Sequence, residues 1–224
     1  MKEKMDMLHG SIWNKIPRYA LPVAATGILG QLFNASDLAI VGNFTGSDST
    51  VAVAAVGANS PVIGLILNFF IGIALGANIV IAHAVGRGDE KTIRKAVNTS
   101  VLMALAGGIA IAVAGEFCIE ALLRLLNIPE DVFPYALLYI KIYLLGMPAI
   151  LLYNFEAAIF RSIGDTKTPL LVLAVSGLLN VALNLFFVIV LDMTVEGVAI
   201  ATAVSNIVSA AILFVLLIKT DRSI

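Results

Sequence analysis

Charge is what this chain has least of. Of its 224 residues only 13% are Asp, Glu, Lys or Arg, against 60% that are hydrophobic, and the mean hydropathy is +1.00. A soluble domain could not cover so much apolar surface, so lipid is the expected solvent. A net charge of −1 offers no basic surface to nucleic acid, which is excluded as a partner. The single cysteine, Cys118, excludes an internal disulfide framework and reads as a free thiol. There is no Gly-x-Ser-x-Gly, and His9 and His83 stand too far apart for a zinc-protease motif. The polar N-terminal stretch lacks a short apolar core with a small-residue cleavage site, so the first long apolar run is expected to stay as a span.

Long apolar runs are what the chain does have. Six reach the ~20 residues that a helical bilayer crossing needs: about 16–42, 52–83, 94–115, 132–158, 169–191 and 196–218. The fold class expected is an all-α membrane protein, a six-transmembrane-helix bundle over 16–218. A cytoplasmic N-terminal segment over 1–15 precedes it and a cytoplasmic tail over 219–224 follows. Several runs exceed one crossing, which predicts tilt or kinks. The stretch 117–128 reads as a short amphipathic helix at the outer surface, or as a lip of the fourth span.

Orientation follows from the cations. With the N-terminus inside, the inner segments hold Lys2, Lys4, Lys15, Arg18, Arg87, Lys91, Arg94, Lys95, Arg161, Lys167, Lys219 and Arg222, twelve of the fourteen basic residues. Only Arg124 and Lys141 fall toward the outer half. The positive-inside rule then places both termini in the cytoplasm of a multi-pass protein of the inner (plasma) membrane. Trp13 and Tyr19 suit the inner interface as an aromatic belt.

Against this apolar background the polar residues within spans stand out. Asp37 lies about two-thirds along the first run, and Gln31, Asn34 and Asp37 recur every three residues on one side of a helix. A carboxylate facing lipid costs a few kcal/mol or more, so Asp37 should face a cavity or the bundle interior. There it would exchange a proton or hold a cation, or serve as a structural acid. Ser176, Asn180 and Asn184 share a face of the fifth span, and Thr202, Ser205, Asn206 and Ser209 stripe the sixth. Each stripe alone reads as helix-to-helix hydrogen bonding. Together they supply hard oxygen ligands of the kind Na⁺ takes, and they would equally form a proton site. Gly64, Gly72 and Gly76 suggest close packing along the second span. Pro22, Pro61 and Pro148 predict kinks or freed carbonyls. Glu156 and Arg161 read as an i, i+5 ion pair or a snorkelling position. No repeat is evident within the chain.

These residues carry a resemblance. Gln31-Leu-Phe-Asn-Ala-Ser-Asp37 with Val41-Gly42, then Ala54-Ala-Val-Gly57, resembles the first two helices of the multidrug and toxic compound extrusion (MATE) transporters. So does Gly72-Ile-Ala-Leu-Gly76-Ala-Asn78, running into Gly86-Arg-Gly-Asp89. The stretch from Asn154 through Arg161-Ser-Ile-Gly164-Asp-Thr-Lys-Thr-Pro169 is similar to that family's connection between fourth and fifth helices. Gly177-Leu-Leu-Asn180-Val-Ala-Leu-Asn184 and Gly197-Val-Ala-Ile-Ala-Thr202-Ala-Val-Ser205 are similar to its fifth and sixth helices. The likeness covers nearly the whole chain, but only the N-terminal half of the family's twelve-helix, two-lobe architecture.

The resemblance implies secondary efflux of cationic, amphipathic organic compounds by antiport with H⁺ or Na⁺. It puts Asp37, Asn180, Asn184 and Thr202 at the family's coupling site, where Asn184 departs from members with Asp. Gln31, Asn34, Pro22 and Asn68 become candidates for substrate contact or gating. Expected partners are membrane lipid, small organic cations, and a missing C-terminal lobe or a second copy of the chain. No cofactor is expected besides the coupling ion. A lipid-linked-sugar flippase of the same broader superfamily is the alternative, and would want a more basic cleft. So is a lobe inactive without its partner half. An enzyme is not expected: Gly86-Arg-Gly-Asp89 has the Gly-x-Gly-Asp form of intramembrane aspartyl proteases, but it sits in a charged turn with no evident second Asp.

Overall fold

In lipid every backbone N–H and C=O must find a partner within its own segment, so apolar runs of this length become helices. The computed structural model describes residues 12–221, which are helical almost throughout, with no strand among them. The helices are α1 (Ile12–Phe44), α2 (Ser49–Arg87), α3 (Glu90–Leu125), α4 (Phe133–Leu145), α5 (Met147–Ser162), α6 (Lys167–Leu185) and α7 (Val195–Asp221). A 3₁₀ turn (Gly46–Asp48) joins α1 to α2, and a π-helical turn (Phe186–Val190) extends α6. Five of these segments are long and apolar enough to cross a bilayer alone. α1 contains Pro17 and Pro22 and is still one helix throughout.

The fourth expected span is divided. α4 and α5 meet at Gly146 with a bend of 53°, and Pro148, just beyond, has no N–H to continue the ladder. The two pieces still make one traverse. On α2, Asn59 Nδ2 donates to Ala136 O (2.9 Å) and, nineteen residues on, Asn78 Nδ2 donates to Ala158 O (3.1 Å). Contacts that advance together along α2 by ~28 Å at 1.5 Å per residue describe a chain running the length of α2 rather than turning back. That distance matches a hydrocarbon core of ~30 Å. The bundle therefore has six crossings, and the start of α1 and the end of α7 share the end that carries Arg87, Arg94, Lys95, Lys167 and Lys219, called here the basic end.

Other expectations shift. The stretch 117–128 forms no separate surface helix and no lip of the fourth span, because α3 runs unbroken to Leu125. Arg124 near its end bonds Glu120 (2.8 Å) and lies 4.8 Å over the Phe133 ring. Lys141, an outlier from the basic end, pairs with Glu116 at 3.7 Å. The α2 glycines are not packing sites within this bundle: a Cβ at Gly64, Gly72 or Gly76 would meet nothing within 4 Å. Close approach occurs instead at Gly108, against the Pro148 backbone, and at Gly177, against the Phe33 ring. Glu156 and Arg161 do not pair. Five residues along a helix is about 140° around it, and Glu156 is fully buried with neither carboxylate oxygen bonded.

A local repeat does exist at the basic end. Gly88-Asp-Glu-Lys-Thr92 and Gly164-Asp-Thr-Lys-Thr168 build the same turn. Each glycine is left-handed (φ 67° and 83°), and each following Asp N–H reaches back to close the preceding helix, onto Ala84 O (3.0 Å) and Phe160 O (2.9 Å). Asp89 then caps α3 by accepting from the Thr92 N–H (3.1 Å), and Asp165 caps α6 by accepting from the Thr168 N–H (3.0 Å).

Candidate functional site: a buried polar cluster and its cavities

Gly177 decides where α1 meets α6. With no side chain there, the Phe33 ring lies against the α6 backbone, in space that a Cβ would occupy. α1 and α6 run in the same direction, so one turn beyond Phe33 comes Asp37, and two turns beyond Gly177 comes Asn184. The register brings these two together: Asn184 Nδ2 donates to Asp37 Oδ1 at 2.5 Å. Both are withdrawn from solvent, Asp37 at 7% and Asn184 at 0% exposure.

Asn184 Nδ2 also donates to Asn180 Oδ1 (3.2 Å), and Asn180 Nδ2 donates to Thr202 Oγ1 on α7 (3.3 Å). The Asn180 amide satisfies a second arrangement equally well. Turned over, its Nδ2 lies 2.9 Å from Asp37 Oδ1 and its oxygen 3.3 Å from the Thr202 N–H. Three helices are thus linked around one acid through side chains alone. Asn184 Oδ1 is buried and has no partner, an acceptor that a cation or a donated proton would satisfy.

The donor set fits a proton or a monovalent hard cation. It offers one carboxylate, two amide oxygens and one hydroxyl, all oxygen ligands, with a single negative charge among them. No group of three or more His, Cys, Asp or Glu is gathered anywhere among the described residues, which leaves no multi-acid site for a divalent or transition metal.

Asp37 borders a cavity of about 180 Å³, lined also by Tyr143, Ser176, Ser205 and Asn206. A second cavity, of about 350 Å³, continues toward the basic end and is walled by Gln31, Asn34, Asn154, Arg161 and apolar side chains of α1 and α2. Gly30, Asn34, Tyr153, Asn154 and Leu173 belong to both, so the two form one groove along α1. Of the gating candidates, Gln31 and Asn34 lie on this groove, exposed rather than buried with Asp37. Pro22 lines neither cavity; its carbonyl accepts from the Thr26 hydroxyl (2.8 Å). Asn68 is exposed on α2 and lines neither. The sequence reading missed Tyr143 and Tyr153 as wall residues. Their aromatic–polar character inside an apolar run was the available signal.

A family model described as MatE matches residues 22–186. A protein described as a probable multidrug resistance protein, YoeA of Bacillus subtilis (strain 168), is 32% identical over 93% of this chain and 45% of its own length. A solved MATE structure in the straight conformation superposes with a TM-score of 0.87 at 25% identity, over 99% of this chain and 48% of that one. A multidrug resistance MATE family transporter in an outward-facing conformation gives 0.83 at 26% identity, over 94% and 47%. The chain spans about half the length of the relatives it matches.

Proposed function

The chain belongs to the MatE family, and from that premise we propose that it is one six-helix lobe of a secondary exporter of amphipathic organic compounds, driven by antiport with H⁺ or Na⁺. The proposal includes an inner-membrane location with both termini cytoplasmic, and a companion lobe, supplied by a further half or a second copy, that completes the cleft. One observation carries it: the only acid bordering the groove among the described residues is Asp37, bonded to Asn184 across a helix boundary.

Asp37, Asn180, Asn184 and Thr202 are the residues that would hold the coupling ion. The ion's chemistry there is neutralisation of the Asp37 charge. With a proton on Asp37, that oxygen turns from acceptor to donor, and the orphaned Asn184 Oδ1 becomes its natural partner in place of Asn184 Nδ2. The bond between α1 and α6 then reverses polarity and the two helices re-seat. That re-seating changes the walls of the adjoining groove, because Gly30 and Asn34 of α1 belong to it. An ion drives such a change only if it binds the two arrangements unequally. The flippase reading would want a basic groove, and among the described residues Arg161 is the one cation lining either cavity.

The test is transport of a fluorescent organic cation by the purified chain in proteoliposomes under an imposed Na⁺ or proton gradient. Gradient-driven movement that vanishes in Asp37→Asn is expected. Undiminished, ion-dependent movement in that variant would remove Asp37 from the coupling step.

A further inference from the structure

α3 is the helix set apart from the groove. It packs on α2, α4 and α5, and none of its residues lines either cavity along α1. Lys91, Arg94, Lys95 and Asn98 begin an exposed stripe along it and, with Glu90, line a recess of about 440 Å³ at the basic end. At further steps of three and four residues the same stripe continues as Leu102, Leu105, Ile109 and Val113, all exposed. This apolar part runs roughly 17 Å at 1.5 Å per residue. That is about half of a ~30 Å hydrocarbon core, the depth of one leaflet.

Retention of cations on the cytoplasmic side explains their sign at this end, but not their grouping. The two copies of the basic-end turn make the comparison within the chain. Gly88-Asp-Glu-Lys-Thr92 and Gly164-Asp-Thr-Lys-Thr168 each place one lysine at the start of a helix, Lys91 and Lys167. After Thr168 the α6 copy goes on with Pro169-Leu-Leu171, whereas the α3 copy adds Arg94 and Lys95. The group does nothing for α3 itself. Lys91 stands in the first turn, at the positive end of the helix dipole, and like charges three and four residues apart repel. Neither Lys91 nor Lys95 is ion-paired among the described residues, and the Asp89 carboxylate is taken up by Thr92 (3.1 and 2.6 Å). An anion held among the three cations removes both penalties at once.

We propose that this face of α3 holds an anionic phospholipid of the leaflet at the basic end. Its phosphate lies among Lys91, Arg94 and Lys95, and its acyl chains lie along Leu102, Leu105, Ile109 and Val113. Basic groups beside a membrane-spanning helix attract such headgroups, and the apolar stretch matches the chains in length. A second copy of this chain does not fit the face. Two copies inserted in the same orientation and meeting here about a two-fold axis would set the cations of each against those of the other at one depth. The site needs neither the groove nor a gradient, so it stands or falls independently of the export reading.

The test is native mass spectrometry of the purified chain, equilibrated in detergent with equal amounts of dioleoylphosphatidylglycerol and dioleoylphosphatidylcholine. These lipids share their acyl chains and differ in headgroup charge. The anionic lipid is expected to be retained about fivefold or more over the zwitterionic one, the equivalent of the ~1 kcal/mol that one basic side chain gains beside an anionic lipid surface. Lys91→Gln combined with Lys95→Gln should bring the ratio close to one. Lys167→Gln combined with Lys219→Gln removes the same charge from the same end and should leave the ratio unchanged. Equal retention in the unaltered chain, a preference that survives the Lys91 and Lys95 changes, or an equal loss in the Lys167 and Lys219 pair would overturn the inference. So would displacement of the retained lipid by inorganic phosphate, the mark of an ion site that makes no use of the apolar stripe. A lipid-free dimer in place of the lipid-bound chain would overturn it too, as the mark of a face closed by a second copy.

Discussion

Two carboxylates in this bundle are removed from water, yet they are built differently. Asp37 is answered by the Asn184 amide of α6, which is tied in turn through Asn180 to Thr202 of α7. Glu156, at 0% exposure, has no partner on either oxygen. A buried polar group left unsatisfied costs about 1–3 kcal/mol, more when charged. Glu156→Met, which keeps length and sheds both oxygens, is therefore expected to raise the thermal unfolding temperature by a few degrees. Glu156→Gln, still polar, should gain less. A loss of stability in Glu156→Met would mean that the carboxyl makes a bond absent from this arrangement. Asp89 is the opposite case, exposed and capping α3. The Thr92 hydroxyl, then its backbone N–H, hold its carboxyl below the usual carboxylate range. A folded-state value below the unfolded one contributes stability at neutral pH that is lost as pH falls through the folded value. Asp89→Ala should accordingly be less stable than the unaltered chain at pH 7, with the gap closing as the pH falls below ordinary aspartate titration. A gap independent of pH would locate the effect in helix propensity instead.

At the scale of helices, contact surfaces were harder to read than helices themselves. The six crossings follow from apolar runs, because lipid leaves the backbone no alternative. The break at Gly146 was hidden in the predominantly apolar 132–158, although Pro148 marked its neighbourhood. The polar residues of the buried cluster were visible as exceptions in those runs. Their convergence was not, since it depends on a register that Phe33 and Gly177 set between helices distant in sequence. The α2 glycines misled for a related reason: a four-residue period shows that a face is smooth, not that a helix lies against it. Gly177→Ala tests the register. Its methyl group would fall on the Phe33 ring, and such overpacking costs typically ~1–3 kcal/mol. Thermal unfolding should drop accordingly, with recovery in Gly177→Ala combined with Phe33→Leu. If the double variant is no more stable than additivity predicts, the Phe33–Gly177 contact does not set the spacing.

Across the whole molecule, charge is segregated by end. Arg87, Arg94, Lys95, Lys167 and Lys219 lie at one end of the bundle, while the other holds Arg124 and Lys141, each already paired with a glutamate. Lys2, Lys4 and Arg222 lie outside the described residues. Cations of short connections are retained on the cytoplasmic side during insertion, and pairing Arg124 and Lys141 with Glu120 and Glu116 reduces their weight at the far end. The chain carries its own reporter of this. Cys118, its only cysteine, is exposed on the last part of α3, at the end opposite the basic one. In intact cells a membrane-impermeant maleimide should label Cys118 without permeabilisation. In a Cys118→Ser background, a cysteine introduced by Arg87→Cys should react only after the membrane is opened. Reversal of that pattern would invert the bundle, and with it the proposed direction of transport: the Arg161 end of the groove would then face outward, and Asp37 would lie nearer the cytoplasm.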